Sequence, residues 1–121
     1  MNLKDHKKIP LLELVDMDRA KKGVVYQAGS LKVQISATKG QTHYLGTDQE
    51  VESHFVVLKP KPGVCGEYLY HVLQQELPAF LYAYQTGLNI KPEIFEHMRV
   101  DVHTDLATQQ HIASIMRTPM I

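Results

Sequence analysis

Charge of either sign is what this chain fails to accumulate. Its 13 basic and 13 acidic residues cancel over 121 residues, for an isoelectric point near 7.1. A domain held to nucleic acid by field alone is clearly basic, so attraction by the surface as a whole is excluded. Any such contact has to come from a local patch or from partner chains. Tryptophan is absent and cysteine occurs once, as Cys65. A lone cysteine rules out an internal disulfide framework and fits a reducing compartment; its simplest reading is a small buried side chain. No apolar run approaches the roughly 20 residues that cross a bilayer. The polar start Met1-Asn2-Leu3-Lys4-Asp5-His6-Lys7-Lys8 has no apolar signal core behind it. A cytoplasmic location is the expectation. What the chain does have is 44% hydrophobic residues, enough for one domain with its own core.

Signatures of catalysis are missing as well. The histidines are His6, His43, His54, His71, His97, His103 and His111. None makes a His-x-x-x-His pair, the spacing from His97 to His103 is not a familiar ligand pattern, and Cys65 has no cysteine partner. No Gly-x-Ser-x-Gly elbow surrounds Ser30, Ser36, Ser53 or Ser114. Phosphate-loop and dinucleotide fingerprints are absent. The expectation is a protein without enzymatic activity, resident metal or cofactor.

Periodicity predicts an α+β domain: a twisted, mostly antiparallel sheet packed by helices, with a C-terminal helix projecting from it. Residues 1–8 read as a flexible, frayed N-terminus. Pro10 opens a short helix that turns Leu11, Leu12, Leu14 and Val15 inward. Asp16 to Gly23 reads as a loop, and Val24-Val25-Tyr26 as a short strand. Leu31 to Thr38 is the clearest strand, with Leu31, Val33, Ile35 and Ala37 on one face and Lys32, Gln34, Ser36 and Thr38 on the other. Lys39-Gly40-Gln41 turns the chain into a returning strand from Thr42 to Leu45, and Gly46-Thr47-Asp48 makes a second turn. Phe55 to Leu58 has no alternation, so that strand should be covered on both faces.

Beyond the stiff connector Lys59-Pro60-Lys61-Pro62-Gly63, the period becomes helical. Leu69, Val72, Leu73 and Leu77 form one stripe, Pro78 should end or kink the helix, and Phe80, Leu81 and Tyr84 continue the inward face. Gly87 is a helix terminator. Pro92 opens a brief helical turn through Phe95, and Met98, Val100 and Val102 alternate with Arg99, Asp101 and His103 to complete the sheet. Thr104 or Asp105 can cap the last helix, whose apolar face is Ile112, Ile115 and Met116. The resulting domain expectation is 9–103, followed by a C-terminal helix over 104–117.

The order of four segments carries a resemblance. They are Gln34-Ile35-Ser36-Ala37-Thr38-Lys39-Gly40-Gln41, Glu67-Tyr68-Leu69-Tyr70-His71-Val72-Leu73, Gln85-Thr86-Gly87-Leu88-Asn89-Ile90, and Asp105-Leu106-Ala107-Thr108-Gln109-Gln110-His111-Ile112-Ala113-Ser114-Ile115-Met116. Over residues 9–117 the chain resembles a single target recognition domain, one half of a type I restriction-modification specificity subunit. No one motif is diagnostic; order and spacing together carry the match. The resemblance implies recognition without catalysis: a domain that reads double-stranded DNA and is joined by helices to the methyltransferase (modification) and restriction subunits. S-adenosylmethionine, ATP and magnesium belong to those partners. The chain departs from the pattern in its single recognition domain, its neutral charge, and a last helix ending near Arg117 where the family has a long spacer. A homodimer through the terminal helix, a remnant of that spacer, is the corresponding expectation. The alternative is a protein-interaction module or decoy that binds the methyltransferase subunit without reading DNA.

Sequence readout needs Arg, Lys, Asn, Gln, Ser or Thr at base edges, and phosphate contacts need cations, hydroxyls or backbone amides. The DNA-binding candidates are therefore Gln34, Ser36, Thr38, Lys39, Gly40, Gln41 and His43 on the first hairpin. Gln85, Thr86, Asn89 and Lys91 surround Gly87, and Lys21 and Lys22 stand beside Gly23. Gly40 is included because a backbone without a side chain can approach a phosphate closely. Lys59 and Lys61 are weaker candidates of the same type. Ile112, Ile115 and Met116 are the partner-binding candidates. Against these stand plainer readings: a solvated strand face with a hairpin turn, a helix cap with a polar loop, and solvated lysines. Tyr68, Tyr70, Tyr82 and Tyr84 read as core and rim aromatics rather than a base-stacking platform, because their spacing is helical.

Overall fold

The computed structural model describes residues 5–36, 40–84, 87 and 89–117. Its organising strand is the one whose sequence lacks alternation. Phe55–Pro60 (β7) is buried through Phe55, Val56, Val57 and Leu58, so both of its faces have to be covered. Three strands flank it in an antiparallel sheet: Val15–Arg19 (β2) on one side, then Leu31–Gln34 (β4) and Thr42–Tyr44 (β5) on the other, in the order β2-β7-β4-β5. On the inner face Val15, Leu31, Val33, Ile35, Val56 and Leu58 pack against Tyr68, Leu69, Val72, Leu73, Leu77 and Leu81 of the long helix Gly66–Tyr84 (α2). On the outer face Phe55 and Val57 join Ala20, Leu45 and Val51, with Tyr26 against them, in a smaller cluster. Val25–Tyr26 (β3) and Gln49–Glu50 (β6) pair beside it. Burial on this scale, at about 25 cal/mol per Å² of apolar surface, is the main favourable term.

A second antiparallel pair, His6–Pro10 (β1) with Arg99–His103 (β8), closes the inner core through Val100 and Val102. Between these elements lie the one-turn helix Leu11–Leu14 (α1) and a 3-10 helix, Pro92–His97, which buries Phe95. No described helix is long and apolar enough to cross a membrane.

Several expectations need correction. His6, Lys7 and Lys8 are paired strand residues, because the ladder uses backbone groups that any side chain carries and the lysines stay in solvent. Asp16 to Arg19 is strand, not loop: β2 is the sheet's edge, so Asp16 and Asp18 face water while Val15 is buried and Met17 half-buried. β8 joins β1 rather than completing the large sheet. Pro78 does not end α2; Leu77 and Leu81 anchor the helix in the core on both sides of it. Tyr84 is 49% exposed instead of inward, and Cys65 is half-buried. Of the four tyrosines on α2, Tyr68 is buried and Tyr70 half-buried, while Tyr82 lies outside at 94% exposure.

The C-terminal helix Leu106–Arg117 (α3) does not project. Asp105 caps it, its carboxylate accepting from the Thr108 amide at 2.9 Å and the Thr108 hydroxyl at 2.8 Å. Its inward face is Thr108, Gln109 and Ala113 rather than the expected Ile112-Ile115-Met116 stripe; Ile112 is half-buried. Gln109 is the tie. Its side-chain carbonyl accepts from the Cys65 amide at 2.8 Å and its amide donates to the His103 carbonyl at 2.6 Å, joining the start of α2 to the end of β8. Arg117 adds an ion pair with Glu67 of α2 at 2.7 Å. At the same corner Gly66 is obligatory, since a side chain there would run into the Gly29 carbonyl.

Two outcomes follow for stability. Gln109→Ala removes the partner of two part-buried backbone groups and should cost about 1–3 kcal/mol, read as a lower midpoint in urea unfolding. Asp105 has its pKa lowered by the side-chain and backbone bonds to Thr108, so its contribution is present at neutral pH and lost as pH falls through that lowered value. The melting-temperature gap between wild type and Asp105→Ala should therefore close on acidification. Glu76, whose pKa burial raises, shifts stability in the opposite sense in both proteins and leaves the gap unaffected.

Candidate nucleic-acid interface

Antiparallel register brings the polar turns of this chain to one end of the large sheet. At that end β2 finishes, β7 begins, β4 finishes and β5 begins. Backbone bonds beyond the strands hold the turns together: Ala20 amide to Phe55 carbonyl at 3.0 Å, Ile35 amide to His54 carbonyl at 2.9 Å, and Gln34 amide to Gln41 carbonyl at 2.9 Å. The decisive one comes from the far segment, where the Ile90 amide donates to the Ile35 carbonyl at 2.9 Å. It lays the 89–91 stretch alongside the end of β4, although 55 residues separate the two partners in sequence (90 − 35).

Gly40 serves this junction in a different way from that expected. It is buried, with φ +58°, and a Cβ there would come 2.7 Å from Leu81 Cδ1 and 3.2 Å from Ile90 Cδ1 and Leu77 Cδ2. Its missing side chain therefore makes room for α2 and Ile90, not for a phosphate, and its carbonyl accepts from the Thr42 hydroxyl at 3.2 Å. Gly40 is the packing point of the junction.

The other candidates divide clearly. Ser36, Gln41, His43, Asn89 and Lys91 are exposed and Gln34 is half-buried, all on the two segments so joined. The Gln34 side-chain amide donates to the Ser36 hydroxyl at 2.9 Å. Thr38, Lys39, Gln85 and Thr86 lie outside the described residues. Lys21 and Lys22 follow β2 at the same end and are exposed, but Lys22 shares a hollow with Glu50 and Glu52, and the Glu50 carboxylate accepts from the Gly23 amide at 3.1 Å. Those carboxylates oppose a phosphate at Lys22. Lys59 and Lys61 belong to the other end of the sheet, where Lys59 pairs with Asp16 and the Lys61 ammonium donates to the Leu12 carbonyl at 3.2 Å.

Sequence reading passed over three nitrogen-bearing side chains at or beside this end. Arg19 donates to the Ser53 carbonyl at 3.0 Å. Lys32 sits over the Phe55 ring, 4.7 Å from its centroid. His54 lies against the same ring at 4.6 Å. Lys32 was legible as part of a polar strand face; its aromatic seat depends on cross-strand pairing and had no local signal.

On the far side of the molecule, α3 leaves Ile115 at 59% and Met116 at 48% exposure, while Ile112 turns toward the core. Ile112 and Met116 border a hollow also lined by Tyr68, Glu76, Asp101 and His103. Burial raises the pKa values of Tyr68 and Glu76 there; the Tyr68 hydroxyl accepts from the His103 amide at 2.9 Å, and Glu76 accepts from the Asp101 amide at 3.2 Å. Among the described residues no group of three or more His, Cys, Asp or Glu stands where it could hold a metal ion.

No protein-family model matches the chain, and no curated protein does. Solved structures do. The S subunit of a type I restriction-modification system from M. genitalium superposes with a TM-score of 0.74 at 12% identity, over 96% of this chain and 40% of that one. The HsdS subunit from Thermoanaerobacter tengcongensis gives 0.66 at 12% identity, over 96% and 37%. A chain from a structure of type I restriction-modification complex assembly and conformational transition gives 0.70 at 12%, over 96% and 38%. The chain spans about two fifths of the length of the structures it matches. Its fold is that of part of a type I restriction-modification S subunit.

Proposed function

We propose that this chain is a non-catalytic, sequence-specific DNA recognition module that directs methyltransferase and restriction subunits to a site in double-stranded DNA. The observation that carries the reading is the Ile90–Ile35 bond, because it puts the two polar segments singled out as base-reading elements on one edge of the molecule. Gln34, Gln41 and Asn89 are of the type that makes two-point contacts to adenine, and Ser36 can serve either base or phosphate. Lys91, exposed beside Asn89, suits a phosphate. Zero net charge makes the contact depend on this local group and on partner chains. In this reading Ile115 and Met116 of α3 are the face that a partner chain or a second copy of this one covers.

A second reading, a module that occupies the methyltransferase subunit without touching DNA, draws on the carboxylates of Glu50 and Glu52 beside Lys22. Selection from a pool of random duplexes at low and moderate salt separates the two. Enrichment of a defined sequence supports recognition; none at either salt concentration overturns it.

Substitutions sharpen the test. Asn89→Ala and Gln34→Ala should relax preference at particular base pairs, by about 1–3 kcal/mol of discrimination each, whereas Lys91→Gln should weaken all sequences alike. Gly40→Ala forces a left-handed backbone onto a residue with a Cβ and should destabilise by more than about 1 kcal/mol. It should also speed hydrogen exchange at the Ile90 amide, the signature of a loosened junction.

A further inference from the structure

Beyond the turns, the outer face of the sheet carries an unassigned cationic seat. Phe55 is 7% exposed and holds its ring in the smaller core. Around that ring stand Lys32, with its ammonium 4.7 Å from the centroid, His54 at 4.6 Å and His43 edge-on at 6.2 Å. Register explains the convergence: Lys32 pairs with His43 on β5 and Val57 on β7, and Phe55 pairs with Gln34. Among the described residues Lys32 makes no ion pair; an aromatic face holds its cation in place of a carboxylate. A cation seated this way keeps its N–H donors for another partner and has less freedom to lose on binding one.

The acidic groups nearby are few. Asp18 shares the face but lies beyond Val57 on β2, two strand spacings or about 10 Å of backbone from Lys32, about one Debye length at 0.1 M salt, and makes no ion pair with it. Glu52 is engaged with His54 at 3.3 Å. Lys32 lies two residue pairs in from Gln34 on the same face, and Phe55 pairs with Gln34 itself, so the seat adjoins the edge bearing Ser36, Gln41 and Asn89.

We propose that Lys32, seated on Phe55 and flanked by His43 and His54, grips a backbone phosphate of the same duplex whose bases meet Gln34, Ser36, Gln41 and Asn89. The inference rests on the DNA-recognition reading and extends its footprint from the sheet's end onto its outer face. Lys32 and His54 act here as positioning groups: they fix where the duplex lies and read no base.

The test is the salt dependence of binding to a sequence enriched by the wild-type chain. Loss of one phosphate contact should reduce the slope of log K against log salt by about 1. Lys32→Gln is expected to show that reduction with the preferred sequence unchanged, and Lys32→Arg to restore the slope. Melting temperatures of both variants confirm that the fold is kept. If Lys32→Gln keeps the wild-type slope, or changes the preferred sequence instead, the phosphate grip is wrong while DNA recognition stands. A wild-type chain that enriches no duplex brings down both.

Discussion

A strand buried on both faces is the constraint from which the rest of this molecule hangs. Four consecutive apolar residues, Phe55 to Leu58, cannot be satisfied by one core. Val56 and Leu58 draw α2 onto one side of the sheet, and Phe55 and Val57 draw the β3–β6 ribbon and Ala20 onto the other. With β7 central, β2 and β4 become its antiparallel neighbours, and the starts and finishes of the strands line up at one end. The candidate interface is a by-product of that alignment: its hairpin residues are those β4 and β5 release at that end, and the Ile90–Ile35 bond adds Asn89 and Lys91 to them.

Two further ties hold the arrangement together, and both are polar bonds that join segments distant in sequence. Gln109 satisfies the first free amide region of α2 and the last carbonyl of β8 with one side chain, which binds α3 into the domain. The Ile90–Ile35 bond does the same for the 89–91 stretch, with Gly40 providing the space. A buried backbone group without a partner is costly, so such bonds define one geometry rather than a family of them. One fixed geometry suits the proposed recognition of a pattern of donors and acceptors, and such recognition needs no strong net charge to be selective.

Neutral composition is consistent with the electrostatics found. Cations at the sheet's end are few and carboxylates stand close to some of them, as Glu50 and Glu52 do to Lys22. Lys32 is held on an aromatic ring instead of an acid. The distinction matters because a lysine already neutralised by a carboxylate has to break that pair before it can meet a phosphate, whereas a cation on a ring face gives up only a weak interaction.

What the sequence determined by itself was whatever depends on near neighbours. The inward face of β4, the unbroken burial of β7, the stripe of α2 from Leu69 to Leu77, the alternation of β8 and a cap at Thr104 or Asp105 were all legible, because period and capping act within a turn or a strand. The four-segment order also carried the likeness to a specificity subunit, which the fold bears out at 12% identity. Tertiary structure alone decided that Asp16 to Arg19 is an edge strand, that His6 to Lys8 pair with β8, that Pro78 stays inside a helix, and that α3 lies down with Gln109 inward. It also decided that Gly40 packs instead of binding, and that Lys32 finds Phe55. In each of these the outcome is set by a partner many residues away, whose burial or backbone pairing outweighs the local preference of the residue itself.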